Sequence, residues 1–134
     1  MSRQSQVAVY FAVGALLCAL PIVMFFSSLV AADQSLNKVV WLSLPIVAAV
    51  SSGLFARIIL RRNPGHFGAF QGATTALLSL LACSLFAAIP TIGSSYFAIS
   101  FVFVISAMLW FGWLALGVGA LLGWICQRHI LAKP

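Results

Sequence analysis

Very long stretches of this chain carry no charge, and that feature limits its possible folds more than any other. Asp33 is the one carboxylate beside seven Lys and Arg residues, and charged residues form 6% of the sequence, against about 25% in soluble domains. The main uncharged runs are 4–32, 39–56 and 63–127. About 20 apolar residues suffice to cross the hydrocarbon core of a bilayer. We therefore expect an all-α integral membrane protein.

The three uncharged runs predict four transmembrane helices. Run 63–127 is too long for one crossing, and its one strong turn signal is the proline-, glycine- and serine-rich segment 90–95. We expect an antiparallel up-down bundle that forms a single membrane domain over residues 1–134. Its helices are predicted near 6–31, 38–61, 67–90 and 96–127. Pro21 and Pro45 are expected to bend helices, which packed membrane helices tolerate.

The cations predict the orientation of the bundle. With four spans, six of the seven cations fall on one side of the membrane, and the other side holds Lys38 and Asp33. Cytoplasmic loops carry an excess of Lys and Arg, so both termini are expected in the cytoplasm, in a multi-pass protein of the inner (cytoplasmic) membrane. The six residues on the cytoplasmic side are Arg3, Arg57, Arg61, Arg62, Arg128 and Lys133.

The net charge of +6 raises the question of a charged partner. Nucleic acid is not expected, because the cations flank apolar runs instead of forming one polar module. The bilayer itself and its anionic phospholipid headgroups are the expected partners. The residues expected to anchor the chain at headgroups or at a partner are Arg57, Arg61, Arg62 and Arg128.

Small residues recur every three or four positions and predict which helix faces meet, because membrane helices associate through close packing. Ala8, Ala12, Ala15 and Ala19 form such a stripe on the first helix. The third and fourth helices each add a GxxxG pair, and we expect these two helices to touch closely at their cytoplasmic ends. A homo-oligomer or partner-subunit contact is the alternative. The residues assigned to packing are Gly68, Gly72, Thr75, Gly112, Gly119 and Gly123.

Signatures of catalysis are absent from the sequence. A carboxylate pair is impossible with Asp33 alone, and there is no G-x-S-x-G, H-E-x-x-H or P-loop motif. Cys126, His129 and His66 form a thin metal candidate, for which an interfacial thiol and two solvated imidazoles are the favoured interpretation. Neither histidine lies at mid-helix, where a haem ligand would sit. We expect no enzyme activity, no catalytic residues, no metal and no cofactor.

Three functions fit this sequence. The favoured one is a non-catalytic accessory or assembly subunit that packs against a larger membrane protein complex. Trp110, Phe111 and Trp113 at mid-membrane could contact that partner, and contact with lipid is the alternative for them. The second is a small dimeric transporter or a flippase of lipid-linked substrates. The third is a membrane immunity or exclusion protein. The polar path that transport would need is Gln71, Thr75 and Ser79, which more often only hydrogen-bond between helices.

Overall fold

The computed structural model describes residues 2–29, 35–63, 66–88 and 96–132, except for the side chains of 25–29, 35–38, 41 and 96. The predicted turn at 90–95 lies outside these ranges, as do Asp33 and Lys133. The described chain is all-helical. Its elements are α1 (Arg3–Leu29), α2 (Ser35–Arg62), α3 (Ala69–Ala87) and α4 (Tyr96–Cys126), which continues as a π-helical turn, Gln127–Leu131.

Each of the four helices is long and apolar enough to span a membrane, which confirms the prediction of four helices of that length. The stretches that qualify are Arg3–Met24, Leu42–Arg62, Ala69–Ala87 and Phe97–Leu131. Both α1 and α2 continue through their internal prolines, Pro21 and Pro45. The number of helices follows from the sequence because charges are rare enough to mark where the apolar runs end.

α4 begins at Tyr96 as predicted, whereas the other three helix starts differ, two of them at sites of local hydrogen bonds. α1 begins at Arg3 instead of 6, since the Ser2 hydroxyl accepts a hydrogen bond from the Ser5 N–H at 3.2 Å, as N-cap serines do. α2 begins at Ser35 instead of 38. α3 begins at Ala69 instead of 67, because the Gly68 N–H donates to Oε1 of Gln71 at 3.0 Å and Gly68 becomes the N-cap.

The helix ends also differ. α2 ends at Arg62 and α3 at Ala87, where 61 and 90 were predicted, whereas the predicted end of the first helix at 31 lies outside the described residues. The largest error is at α4, whose helical path continues past 127 to Leu131, since polar residues at a helix end do not stop a helix that leaves the hydrocarbon. The Ala132 N–H donates to the Gln127 carbonyl at 2.9 Å, a π-type bond across five residues.

The helices associate mainly as pairs of consecutive elements. α1 packs along α2 and α3 along α4, while α2 and α3 join the two pairs. α1 and α4 meet at few places. This unequal packing leaves space between α1 and α4 over part of their length.

Buried side chains form two clusters. The first, which we call the Phe67 cluster, consists of Val7, Phe11, Ala56, Leu60, Phe67, Cys126 and Ile130. It joins the start of α1 to the end of α2 and the end of α4. Phe67 precedes α3 and is 1% exposed. Its ring meets that of Phe11 edge to face, with centroids 5.8 Å apart. The second cluster consists of Val23 on α1, Leu44 on α2 and Ala87 at the end of α3.

Candidate functional site

The backbones of α3 and α4 lie in direct contact where these two helices pack together. A Cβ atom added to Gly72 would collide with the Gly119 carbonyl oxygen and would lie 2.8 Å from the Gly123 Cα. A Cβ atom on Gly68 would lie 2.8 Å from Oε1 of Gln127. Only glycine permits such an approach, and small residues are what bring membrane helices together. We call Gly68, Gly72, Gly119 and Gly123 the glycine seam.

The two other residues assigned to packing, Thr75 and Gly112, lie outside the glycine seam. Thr75 is fully buried, and its hydroxyl donates to the Gln71 carbonyl of its own helix at 2.8 Å. The one described side chain within 4 Å of a Cβ atom added to Gly112 would be that of Met108, on the same helix. Gly112 is therefore not part of the glycine seam.

The side chains of the suggested polar path make local hydrogen bonds. Gln71 accepts from the Gly68 N–H, and Thr75 donates within its own helix. Ser79 is the one that reaches another helix. Its hydroxyl lies 3.2 Å from the Ala48 carbonyl oxygen and 3.0 Å from the Ser51 hydroxyl, both on α2. Such interhelical bonds contribute about 0.6 kcal/mol each, and of the three side chains only Ser79 makes one.

The cations assigned to anchoring, Arg57, Arg61, Arg62 and Arg128, all have exposed side chains. They sit near the Phe67 cluster in the chain, because Leu60 and Ile130 belong to that cluster. The Arg128 guanidinium lies over the Trp124 ring, 5.3 Å from its centroid, which is a cation–π contact. These side chains are free to meet phosphate groups at a membrane surface.

The three residues of the weak metal-site candidate, Cys126, His66 and His129, lie in different environments. Cys126 is fully buried in the Phe67 cluster, whereas His66 and His129 are exposed. Within the described ranges, no group of three potential ligands is close enough to hold a metal ion.

One hollow in the described structure is an apolar cleft of about 210 Å³ that all four helices line. Its walls run from Phe11 to Val23 on α1 and from Phe103 to Leu122 on α4, with α2 and α3 behind them. We expect the cleft to be filled in a bilayer.

Sequence reasoning missed this cleft, although one signal was present. Ala15 and Ala19 belong to the small-residue stripe that predicts a helix contact, yet both line the cleft. The first half of that stripe does make a contact: a Cβ atom on Gly53 of α2 would lie 3.5 Å from the Cβ atom of Ala12. A small residue therefore marks either close packing or the wall of a space, and the pattern alone does not distinguish them.

The geometry presents an apolar cleft, a glycine seam and a cluster of exposed cations. None of these brings together the acid, base and nucleophile of a catalytic site in the described part of the chain. Comparison with protein-family models, with curated proteins and with solved structures finds no match to this chain.

Proposed function

We propose that this chain is a non-catalytic accessory or assembly subunit that binds a larger membrane protein through the outer face of α4. The observation that carries the proposal is a pair of tryptophans in the middle of the helix. Trp110 and Trp113 are 74% and 70% exposed. They lie near the midpoint of Tyr96–Cys126 and of the apolar stretch Phe97–Leu131.

Tryptophan usually lies at the membrane–water interface, where its indole N–H finds an acceptor. Among the described residues, none accepts a hydrogen bond from the indole of Trp110 or Trp113. The hydrocarbon core offers no acceptor either, and burying an unsatisfied polar group is costly. A partner helix that presents a carbonyl or a hydroxyl group would satisfy these donors and cover the exposed rings.

Large apolar neighbours extend the same face. Trp113 is four residues after Leu109 and three after Trp110, so its side chain lies beside both on one side of α4. Leu109 is 74% exposed. Buried aromatic anchors dominate the energetics of many protein interfaces. We name Leu109, Trp110 and Trp113 the α4 docking face.

Site-specific photocrosslinking tests the docking face. A photoreactive amino acid at position 110 should crosslink to one larger membrane polypeptide, which co-purifies in mild detergent in a fixed ratio. The matched control is position 70, because Phe70 on α3 is 78% exposed and lies outside the proposed face. Trp110→Leu with Trp113→Leu should lower co-purification about tenfold or more, since each interface tryptophan contributes on the order of 2 kcal/mol.

Other crosslinking results would contradict the proposal. Lipid adducts alone at both positions would show that the face is covered by the bilayer. A crosslink to a second copy of the chain would replace the accessory subunit with a homo-oligomer. Equal crosslinking at positions 110 and 70 would deny any special role to the tryptophans.

The proposal includes an antiparallel bundle, one membrane domain over 1–134, in the inner membrane with both termini cytoplasmic. The order of contacts supports the antiparallel arrangement, since Gly68 lies near Gln127 whereas Gly72 lies near Gly119. The exposed Arg57, Arg61, Arg62 and Arg128 support the orientation through the positive-inside rule, with anionic headgroups as their partners.

Reporter fusions test this orientation. Alkaline phosphatase, which folds only outside the cytoplasm, should be inactive when fused after the last residue and active when inserted between α1 and α2. A fluorescent protein that matures only in the cytoplasm should give the reverse result. An active phosphatase at the C-terminus would overturn the orientation.

A further inference from the structure

The cleft is long and narrow. Its wall on α4 extends from Phe103 to Leu122, which corresponds to about 28 Å at about 1.5 Å per helical residue. Its wall on α1, from Phe11 to Val23, covers about 18 Å by the same measure. A volume of about 210 Å³ spread over such a length makes a slot and not a compact chamber.

One end of the slot is closed and its side is open. Near the Phe67 cluster, α1 and α4 touch, because a Cβ atom on Gly14 would lie 2.6 Å from the Leu122 Cδ1 atom. Further along, Cys18 lines the cleft and is exposed. The slot therefore opens laterally at a depth where the helices face the hydrocarbon of a bilayer.

The lining of the cleft is almost entirely apolar. Alanine, leucine, isoleucine, valine and phenylalanine dominate the walls. Two of the three serines that line the slot already hydrogen-bond to helix carbonyls: Ser79 to Ala48 and Ser84 to Leu80. In the described walls there is no charged side chain. A sugar, a peptide or an ion would lose its hydration there without compensation.

We propose that this cleft binds one acyl chain of a bilayer lipid, held lengthwise between α1 and α4. The shape of the slot matches an extended hydrocarbon chain, its chemistry accepts only apolar surface, and its open side faces the source of such chains. The bound chain replaces the side-chain contacts that α1 and α4 do not make with each other. This inference is separate from the docking face, which lies on exposed residues of α4 that do not line the cleft.

Lipid retention tests the proposal. The full-length protein is reconstituted in phosphatidylcholine nanodiscs, transferred to mild detergent, washed and examined by native mass spectrometry. The wild-type protein should retain one phospholipid. Ala107→Phe, which fills the slot, should lower retention at least fivefold, and the milder Ala107→Leu should lower it partly. Ala98→Phe is the matched control, because Ala98 is exposed on α4 and does not line the cleft; it should retain lipid as the wild type does.

Photocrosslinking in the same nanodiscs locates the chain. Phosphatidylcholine with a diazirine at mid-chain should label cleft residues of α1 and α4, near Cys18 and Phe111, more than the exposed face of α2. Ala107→Phe should abolish that preference. Equal retention by Ala107→Phe and Ala98→Phe, or labelling spread evenly over all exposed faces, would overturn the proposal. Because a partner protein is absent from these nanodiscs, failure here leaves the α4 docking face untouched.

Discussion

Replacing Gly119 by alanine should separate α3 from α4, whereas the same change at Gly117 should leave the protein intact. A Cβ atom at Gly119 would lie 2.6 Å from the Ala76 Cβ atom and 3.0 Å from the Gly72 carbonyl carbon. Helix backbone cannot yield as the end of a flexible side chain can, so we expect a loss of about 2 kcal/mol or more, within the range of overpacked cores. At Gly117, the added atom would find nothing within 4 Å.

Thermal unfolding in detergent measures this difference. Gly119→Ala should melt several degrees below the wild type. Gly117→Ala should melt at the same temperature or slightly above it, because alanine favours a helix by up to about 1 kcal/mol over glycine. Equal melting temperatures for the two variants would show that the glycine seam does not hold α3 against α4.

Truncating Phe67 should destabilise the whole assembly, although the residue precedes α3. Phe67 is 1% exposed, and its cluster joins side chains of α1, α2 and the end of α4. Phe→Ala in protein cores costs about 3–5 kcal/mol. We expect about 3 kcal/mol here, because a bilayer gives little hydrophobic driving force and the loss is mainly of packing contacts.

Phe70→Ala supplies the comparison for this prediction. Phe70 is three residues away and 78% exposed, so its truncation removes few protein contacts and should change stability by less than about 0.5 kcal/mol. Unfolding in a titration of denaturing detergent should separate the two variants clearly. Similar unfolding midpoints would contradict the assignment of Phe67 as the residue that ties the helices together.

The number of helices could be predicted from the sequence because rare charges divide the chain into three apolar runs and a turn signal at 90–95 divides the longest of them. Their ends could not, because these depend on single hydrogen bonds such as the Ser2 cap and the bond between Gly68 and Gln71. A hydropathy pattern does not report such bonds. The hydropathy pattern also did not predict that the helical path of α4 continues to Leu131 as a π-helical turn.

The candidate site was predictable only in part. The GxxxG pattern named Gly68, Gly72, Gly119 and Gly123, which do lie together across α3 and α4. The cleft could not be predicted from the sequence, because it depends on where α1 and α4 diverge and not on any residue type. The importance of Phe67 was hidden too: one phenylalanine among 11 carries no local mark that distinguishes a buried ring from a lipid-facing one.

The pairing of consecutive helices has a consequence for how the protein is made. α1 contacts α2 and α3 contacts α4 far more than α1 contacts α4, so most contacts join segments that are near in sequence. Contacts of this kind form quickly, because little chain entropy is lost in closing short loops. The first pair can be complete while the ribosome is still synthesising the second. The Phe67 cluster can be completed only later, since it also includes Cys126 on α4 and Ile130, which follows α4 in the chain.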